Sequence, residues 1–454
     1  MSSSHQFQKL KERLLGIVTA FRPAMLRMNS LTAAALVSLS APAFAGPDAF
    51  IAPPSAPEPS NAGDFLKVTA DIRARYEVRD TGPADTSHAL TTRARIGLLA
   101  KPFDGLSAFV EGEFTEALVD DYAGAPGQNP GSRQVFPYRQ DASVIGDPEN
   151  RELNQAYLKY AASGFSATVG RQRIIRNGAQ FIGNVGWRQN EQTYDAAQIG
   201  YSKDGLDLSY VYSNRVLRIF GNDPRHDIPL HDFEGDFHFF DIKSKQDFGT
   251  IGAYAYLIDV DANSALGGAN NLYNNVGKSN SFGAFVNSNG LYAEFAFQDG
   301  SSRLKTGGDY TALYGHLNYT IKAGGAGSFT LGSEYLGENF KTPFATVHKF
   351  NGFADAFILQ RIGLNNNGGR YNGLTDFYLK YAKKDLFGAG ITFKAAAHLF
   401  MDGKVDDMYG YETDAVLVKK FDKGFSTLAK FAYFNGEDFY NDIKQASLQV
   451  DYKF

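Results

Sequence analysis

Cysteine is absent from the 454 residues, so disulfide scaffolds, thiolate-held zinc, iron–sulfur clusters and thiol nucleophiles are excluded together. Long apolar runs are missing too: no stretch offers the roughly 18 uncharged hydrophobic residues that a membrane-spanning helix requires. Neither sign of charge dominates, with 45 basic against 49 acidic residues and a net charge of −4. The basic surplus of a nucleic-acid binder is therefore lacking, and no nucleic-acid partner is expected. Catalytic signatures are equally scarce: there is no Gly-x-Ser-x-Gly and no His-Glu-x-x-His. The densest acid–histidine group (Asp223, Arg225, His226, Asp227, His231 and Asp232) could activate water in a hydrolase, but no nucleophile motif accompanies it. Asp259, Asp261, Asn263, Asn270 and Asn271 fit a solvated loop better than a calcium site. The expectation is a non-enzyme without catalytic residues, metal or cofactor.

What is plentiful is glycine, with 47 residues, and aromatic side chains at 14%. Twenty-five Tyr and 37 Phe are too many for a disordered chain. The composition points to a folded all-β protein.

A basic stretch ending at Arg22 and Arg27 leads into an apolar run from Leu31 to Leu39, then Ala43-Phe44-Ala45 before Gly46. This predicts a cleaved secretory signal peptide over residues 1–45, with Met25 or Met28 as further candidate starts. Pro47, Pro53, Pro54, Pro57 and Pro59 make residues 46–63 an extended linker. The mature chain is expected outside the cytoplasm.

From residue 64 the hydrophobic pattern has period two, which belongs to strands. Leu66, Val68, Ala70, Ile72, Ala74, Tyr76 and Val78 share one face, opposite Lys67, Thr69, Asp71, Arg73, Arg75, Glu77 and Arg79. Similar segments recur to the last residue, about eighteen in all, within a range of 16–18. Short Gly/Asp/Asn turns alternate with long polar stretches at 119–150, 174–192, 219–233, 260–278 and 339–372. That asymmetry predicts a transmembrane antiparallel β-barrel over 64–454, with short periplasmic turns and long extracellular loops. Closure would also remove the exposed edges of so many hairpins. The last strand alternates Ala446, Leu448, Val450, Tyr452 and Phe454 against Ser447, Gln449, Asp451 and Lys453. Its terminal aromatic, Phe454 with Tyr452 before it, resembles the signal read by the bacterial outer-membrane assembly machinery. The expected setting is the outer-membrane bilayer of a Gram-negative-type bacterium.

Two blocks carry a more particular resemblance. One runs Arg151-Glu152-Leu153-Asn154-Gln155-Ala156-Tyr157-Leu158, Val169-Gly170-Arg171-Gln172-Arg173, Gly183-Asn184-Val185-Gly186-Trp187-Arg188-Gln189-Asn190 and Thr193-Tyr194-Asp195-Ala196. The other is Ala345-Thr346-Val347-His348-Lys349-Phe350-Asn351-Gly352-Phe353-Ala354-Asp355, then Gly373-Leu374-Thr375-Asp376. Both resemble the alginate-export family of outer-membrane proteins, which implies an eighteen-stranded barrel with an Arg-lined pore. The resemblance also implies a place for Arg171 and Asp195 at the pore constriction, although an Arg–Asp pair at strand ends could equally pin a loop.

If the apolar strand faces meet lipid, the partner faces line the lumen. That puts Arg73, Arg75, Arg93, Arg95, Lys159, Lys380 and Lys394 inside, with Asp71, Glu77, Glu111, Glu113, Glu294 and Asp376. The four arginines form a basic ladder faced by Glu111 and Glu113, suited to selecting carboxylates through bidentate contacts. They could also neutralise the acids and brace the wall. Residues 174–192, where Arg173, Arg176 and Arg188 alternate with Phe181, Ile182, Val185 and Trp187, could reach into the lumen and narrow it. The His348 block reads as a plain loop over one mouth. The functional expectation is passive, charge-selective passage of an anionic or polar saccharide of the alginate kind. A general porin with weak selectivity and, less so, a barrel hydrolase are the alternatives.

Overall fold

The computed structural model describes residues 65–125, 135–221, 232–262, 276–303, 308–346, 348–358, 371–437 and 439–454. The expected signal peptide and linker lie outside them, as do Asp223 to His231, Asn263, Asn270 and Asn271.

Eighteen strands form one sheet. The first nine are β1 (Leu66–Thr81), β2 (Ser87–Phe103), β3 (Leu106–Asp121), β4 (Asn150–Ala162), β5 (Phe165–Gln172), β6 (Thr193–Lys203), β7 (Leu206–Leu217), β8 (Asp232–Gln246) and β9 (Gly249–Val260). The others are β10 (Lys278–Ser288), β11 (Leu291–Ser301), β12 (Asp309–Lys322), β13 (Ser328–Leu336), β14 (Leu374–Leu386), β15 (Ile391–Met401), β16 (Met408–Lys420), β17 (Phe425–Gly436) and β18 (Ile443–Lys453). Each pairs antiparallel with the next, and β18 pairs with β1, so the sheet closes into a barrel. Beyond the last ladder pair, Phe454 and Ala70 exchange both backbone hydrogen bonds, at 3.0 and 3.1 Å.

The strand count matches the period-two reading. Two boundaries differ by more than a residue: β3 continues to Asp121, into the stretch that reads as loop from 119, and β8 begins at Asp232, inside the stretch 219–233. At one end of the barrel the connections are tight. Ser163-Gly164, Asp204-Gly205 and Asn289-Gly290 close two-residue hairpins with positive φ at both positions, the turn whose twist matches that of its strands. The opposite end carries the long loops.

Val68, Ile72, Ile96, Val110, Leu448 and Val450 are exposed on the outer wall, while Arg73, Arg75, Arg93, Arg95, Glu111 and Glu113 are buried on the inner one. An outer wall of exposed Leu, Ile, Val and Phe on a closed barrel is a surface made for lipid. Tyr452 and Phe454 lie on that outer side, the Tyr452 ring in contact with both Phe454 and Phe425. A bulge at Asn154 shifts the β3–β4 register, so Asn154 and Gln155, adjacent in sequence, are both buried.

Candidate functional site

Two loops from the long-loop end fold into the barrel and pair with each other. Ile182 of the β5–β6 loop bridges Phe344 of the β13–β14 loop. The Gly183 amide donates to the Phe344 carbonyl at 2.8 Å, and the Thr346 amide donates to the Ala179 carbonyl at 2.9 Å. Phe181 packs on inward rings of the wall, 5.6 Å from Tyr254 and 5.0 Å from Tyr314 between centroids. The loop over 174–192 therefore lies inside the lumen, as its mixed Arg/aromatic sequence suggested.

Trp187 of this insertion is buried among cations and rings. Arg75 lies over its ring at 3.9 Å, Lys430 of β17 at 3.4 Å, and His348 stacks on it at 4.7 Å with planes 9° apart. Lys430 Nζ donates to His348 Nε2, and Nδ1 donates to Asp355 at 2.8 Å. Burial, reinforced by Lys430, pushes the His348 imidazole down to about 3. Burial alone would raise the Asp355 carboxyl, but His348, Arg188 and Arg79 hold it well below its ordinary value. The His348 block is thus part of the lumen's packed centre rather than a plain loop over the mouth. Gly352 is needed there: its φ is +83°, and a Cβ would meet the Glu412 carboxylate at 2.3 Å.

The arginine ladder is inward and heavily engaged. Arg73 bonds Asp451 at 2.7 Å and the Trp187 carbonyl at 3.0 Å. Arg75 contacts Asp147 at 3.2 Å, Gln449 at 2.7 Å and the Trp187 carbonyl. Arg93 pairs with Asp71, and Arg95 pairs with Glu113 while donating to the Gln189 carbonyl at 3.1 Å. Arg188, on the loop, reaches Glu77 at 3.0 Å and Asp355 at 3.4 Å. Arg173 donates to Glu191 at 2.6 Å. Burial would raise the Glu191 carboxyl, yet Arg173 and Arg95 keep it far below the usual carboxylate range. Glu111 accepts from Asn154 and Gln155 at 2.9 and 2.8 Å. Asp147, Glu191 and Lys430 complete this network and were not singled out from sequence, while Asp355 stood there only as the end of the His348 block. Of these, only Glu191 lies in a loop whose composition stood out, that over 174–192.

Arg171 and Asp195 require a correction. They form a bidentate pair at 2.7 and 3.0 Å, but not in the lumen. Arg171 has the parity of Phe165 and Val169, both exposed on the outer wall, and Asp195 that of Ile199 and Tyr201. No register shift intervenes between β5 and β6, so the pair stands on the outside of the barrel. Strand parity overrides the motif here. Asp195 is also directly opposite Arg215, which pairs with Asp232.

The inner wall of β14–β16 has a different balance. Lys380 lies in the field of Asp376, Glu334 and Asp414. Lys394 instead lies in the field of three other ammonium groups, Lys349, Lys384 and Lys420. Lys349, from the inserted loop, donates to the Gly178 carbonyl at 2.8 Å. Glu294 accepts from Tyr254 and Tyr292, both at 2.6 Å. Lys159 is exposed near the β4–β5 turn.

Comparison with known proteins agrees with the barrel fold. Residues 64–212 match the family model described as alginate export. No curated protein matches the chain in sequence. Among solved structures, the Pseudomonas aeruginosa protein OpdK crystallised with vanillate is similar, at 13% identity, over 86% of this chain and 98% of that one, with a TM-score of 0.59. Pseudomonas aeruginosa OccK9 (OpdG) is similar at 14% identity, TM-score 0.59, and Acinetobacter baumannii OccAB4 at 14%, TM-score 0.58, each over 86% of this chain and 98% of theirs. The chain has the eighteen-stranded β-barrel fold of outer-membrane porins, and over residues 64–212 it is similar to the alginate-export family.

Proposed function

We propose that the chain is a passive outer-membrane channel for carboxylate-bearing polar solutes, with anionic oligosaccharides of the alginate kind as its first cargo. The observation that carries this is that Lys349, Lys384 and Lys420 all act electrostatically on Lys394, whose position in β15 has the inward parity of His398 and Phe400. Clustered ammonium groups raise the local concentration of anions in a low-dielectric cleft. The ladder arginines act on a solute at shorter range, through whatever donors their acids leave over. In this reading the chain crosses the inner membrane on a cleaved signal peptide, and the assembly machinery recognises Tyr452 and Phe454 and inserts the barrel into the lipid bilayer.

A second cargo class, small aromatic carboxylates, is favoured by the Phe181, Tyr254 and Tyr314 rings around the inserted loop. OpdK, of like fold, was crystallised with vanillate, an aromatic carboxylate. Planar-bilayer recording in a KCl gradient, with and without oligouronates or vanillate, tests the proposal. The expected result is anion preference with block by one of the two. An unselective conductance blocked by neither would leave a general diffusion porin.

A further inference from the structure

On the outer wall of β15–β18, towards the short-turn end, the lipid-facing surface carries a groove of about 280 Å³. Side-chain size along the ladder makes it. In one transverse row Ala415 of β16 faces Phe431 of β17, which faces Ala446 of β18. In the next row Phe393 of β15 faces Leu417, which faces Ala429 of β17. Three methyl side chains therefore stand between larger ones, and the wall is a furrow there rather than a ridge.

The furrow ends at two cations. Lys383 of β14 is directly opposite Phe393, and Lys419 has the parity of Leu417, two residues nearer the turn. Both side chains therefore leave the wall on the lipid side. Ladder spacings put their Cα atoms about 12 Å apart, an interval that two extended lysines can close on one phosphate. Neither makes an ion pair among the described residues; Lys419 Nζ lies over the Phe421 ring at 5.3 Å. Of the acids in the two adjoining turns, Asp385 is tied to its own turn, accepting from the Gly390 amide at 2.7 Å, and exposed Asp422 is followed by Lys423.

The turns above the furrow are built for a membrane interface. Phe387, between β14 and β15, is 92% exposed, and Phe421 and Phe425 are about half exposed. Aromatic rings at the end of a lipid-facing wall sit at headgroup level. An apolar furrow running up to unpaired ammonium groups at that level has the two halves of a lipid site, tail below and anion above. A second barrel docked symmetrically on this face would instead bring two more copies of the same lysines to the same depth, like charge against like.

We propose that the furrow holds one glycerophospholipid with a net anionic headgroup, an acyl chain lying across Ala415 and Ala429 and the phosphate between Lys383 and Lys419. The proposal is independent of what the channel carries.

The test is native mass spectrometry of the full refolded barrel in neutral detergent, titrated with phosphatidylglycerol or with phosphatidylcholine of the same chains. The variants are K383Q/K419Q, A415F and K245Q, the last an exposed lysine of the β8–β9 hairpin that lies away from the furrow. Heat-modifiable mobility checks that each is folded. Wild type should retain one phosphatidylglycerol at concentrations about tenfold below those needed for phosphatidylcholine, as two lysines near a headgroup can supply. K383Q/K419Q should abolish that preference. A415F fills the furrow but keeps both lysines, and should weaken retention of both lipids; K245Q should change neither. Equal retention of the two lipids by wild type, or a preference that survives K383Q/K419Q, overturns the proposal. So does an equal loss in K245Q, which would make the effect one of net charge, or a dimer in place of bound lipid, which would give the face to a second copy.

Discussion

Trp187 is the chain's one tryptophan, and its ring is clasped by Arg75, Lys430 and His348 at the centre of the lumen. Its emission therefore reports on whether the β5–β6 loop is docked. His348 makes that docking sensitive to acid. Docked, the imidazole stays neutral until about pH 3; released into water it returns towards its ordinary 6.5. Between those values the released state binds the extra proton, so docking loses stability as pH falls through that window. Asp355 adds to this in the same direction. Its docked carboxyl is held below the ordinary range, so its contribution is present above that range and disappears as pH drops beneath it. Acidification from pH 7 to about 3 should shift Trp187 emission to the red and open it to acrylamide quenching. H348Q should move the transition to lower pH, leaving the Asp355 component. An emission spectrum that is constant down to pH 3 in the wild type would contradict the loop assignment.

At the level of strands, register is the quantity to test, because a slip of one residue exchanges every lipid-facing side chain for a lumen-facing one. Arg placed at Ile72, Ile96 or Val450, all on the outer wall, should cost about 2–4 kcal/mol near the bilayer midplane. Arg at Gln198, on the inner face of β6, should be tolerated. Denaturant unfolding in lipid vesicles ranks the two groups, and the reverse order would refute the register. Strand faces were legible in the sequence because a closed barrel between lipid and water imposes period two on every strand. Arg171 was legible by the same rule, standing in one row with Phe165, Ala167 and Val169. Its motif, read as a pore feature, hid that parity. The bulges at Asn154 and between Ser213 and Arg215 were not legible, since one extra residue leaves no mark in composition. Gly170, with φ of +119° and the Ala156 carbonyl 2.3 Å from where a Cβ would sit, is a local mark of close strand approach that a sequence reading can only note as glycine.

Over the whole molecule, what escaped the sequence was contact between distant loops. Nothing in local pattern says that Ile182 pairs with Phe344, or that Asp147 and Glu191 will meet Arg75 and Arg95. Those contacts change what the arginines do. Arg73, Arg75, Arg93 and Arg95 project onto one stretch of inner wall as expected, but each has a carboxylate partner there, so little of their field reaches across the lumen. In the proposed reading the lysines around Lys394 supply the long-range attraction, because their like charges act on one another. Two triple variants separate the roles. Changing Lys384, Lys394 and Lys420 to Gln should move reversal potentials in a KCl gradient towards cations. The shift should be largest at low salt and fade as the Debye length falls from about 10 Å at 0.1 M to about 3 Å at 1 M. Changing Arg93, Arg95 and Arg171 to Gln should leave ion preference nearly unaltered. It strips Asp71 and Glu113 of their buried partners, each loss of that kind costing about 3–5 kcal/mol, while Arg171 contributes nothing to the pore from the outer wall. Should the arginine variant shift selectivity and the lysine variant not, the ladder carries the field after all, and Lys394 and its neighbours are only the solvated lining of the channel.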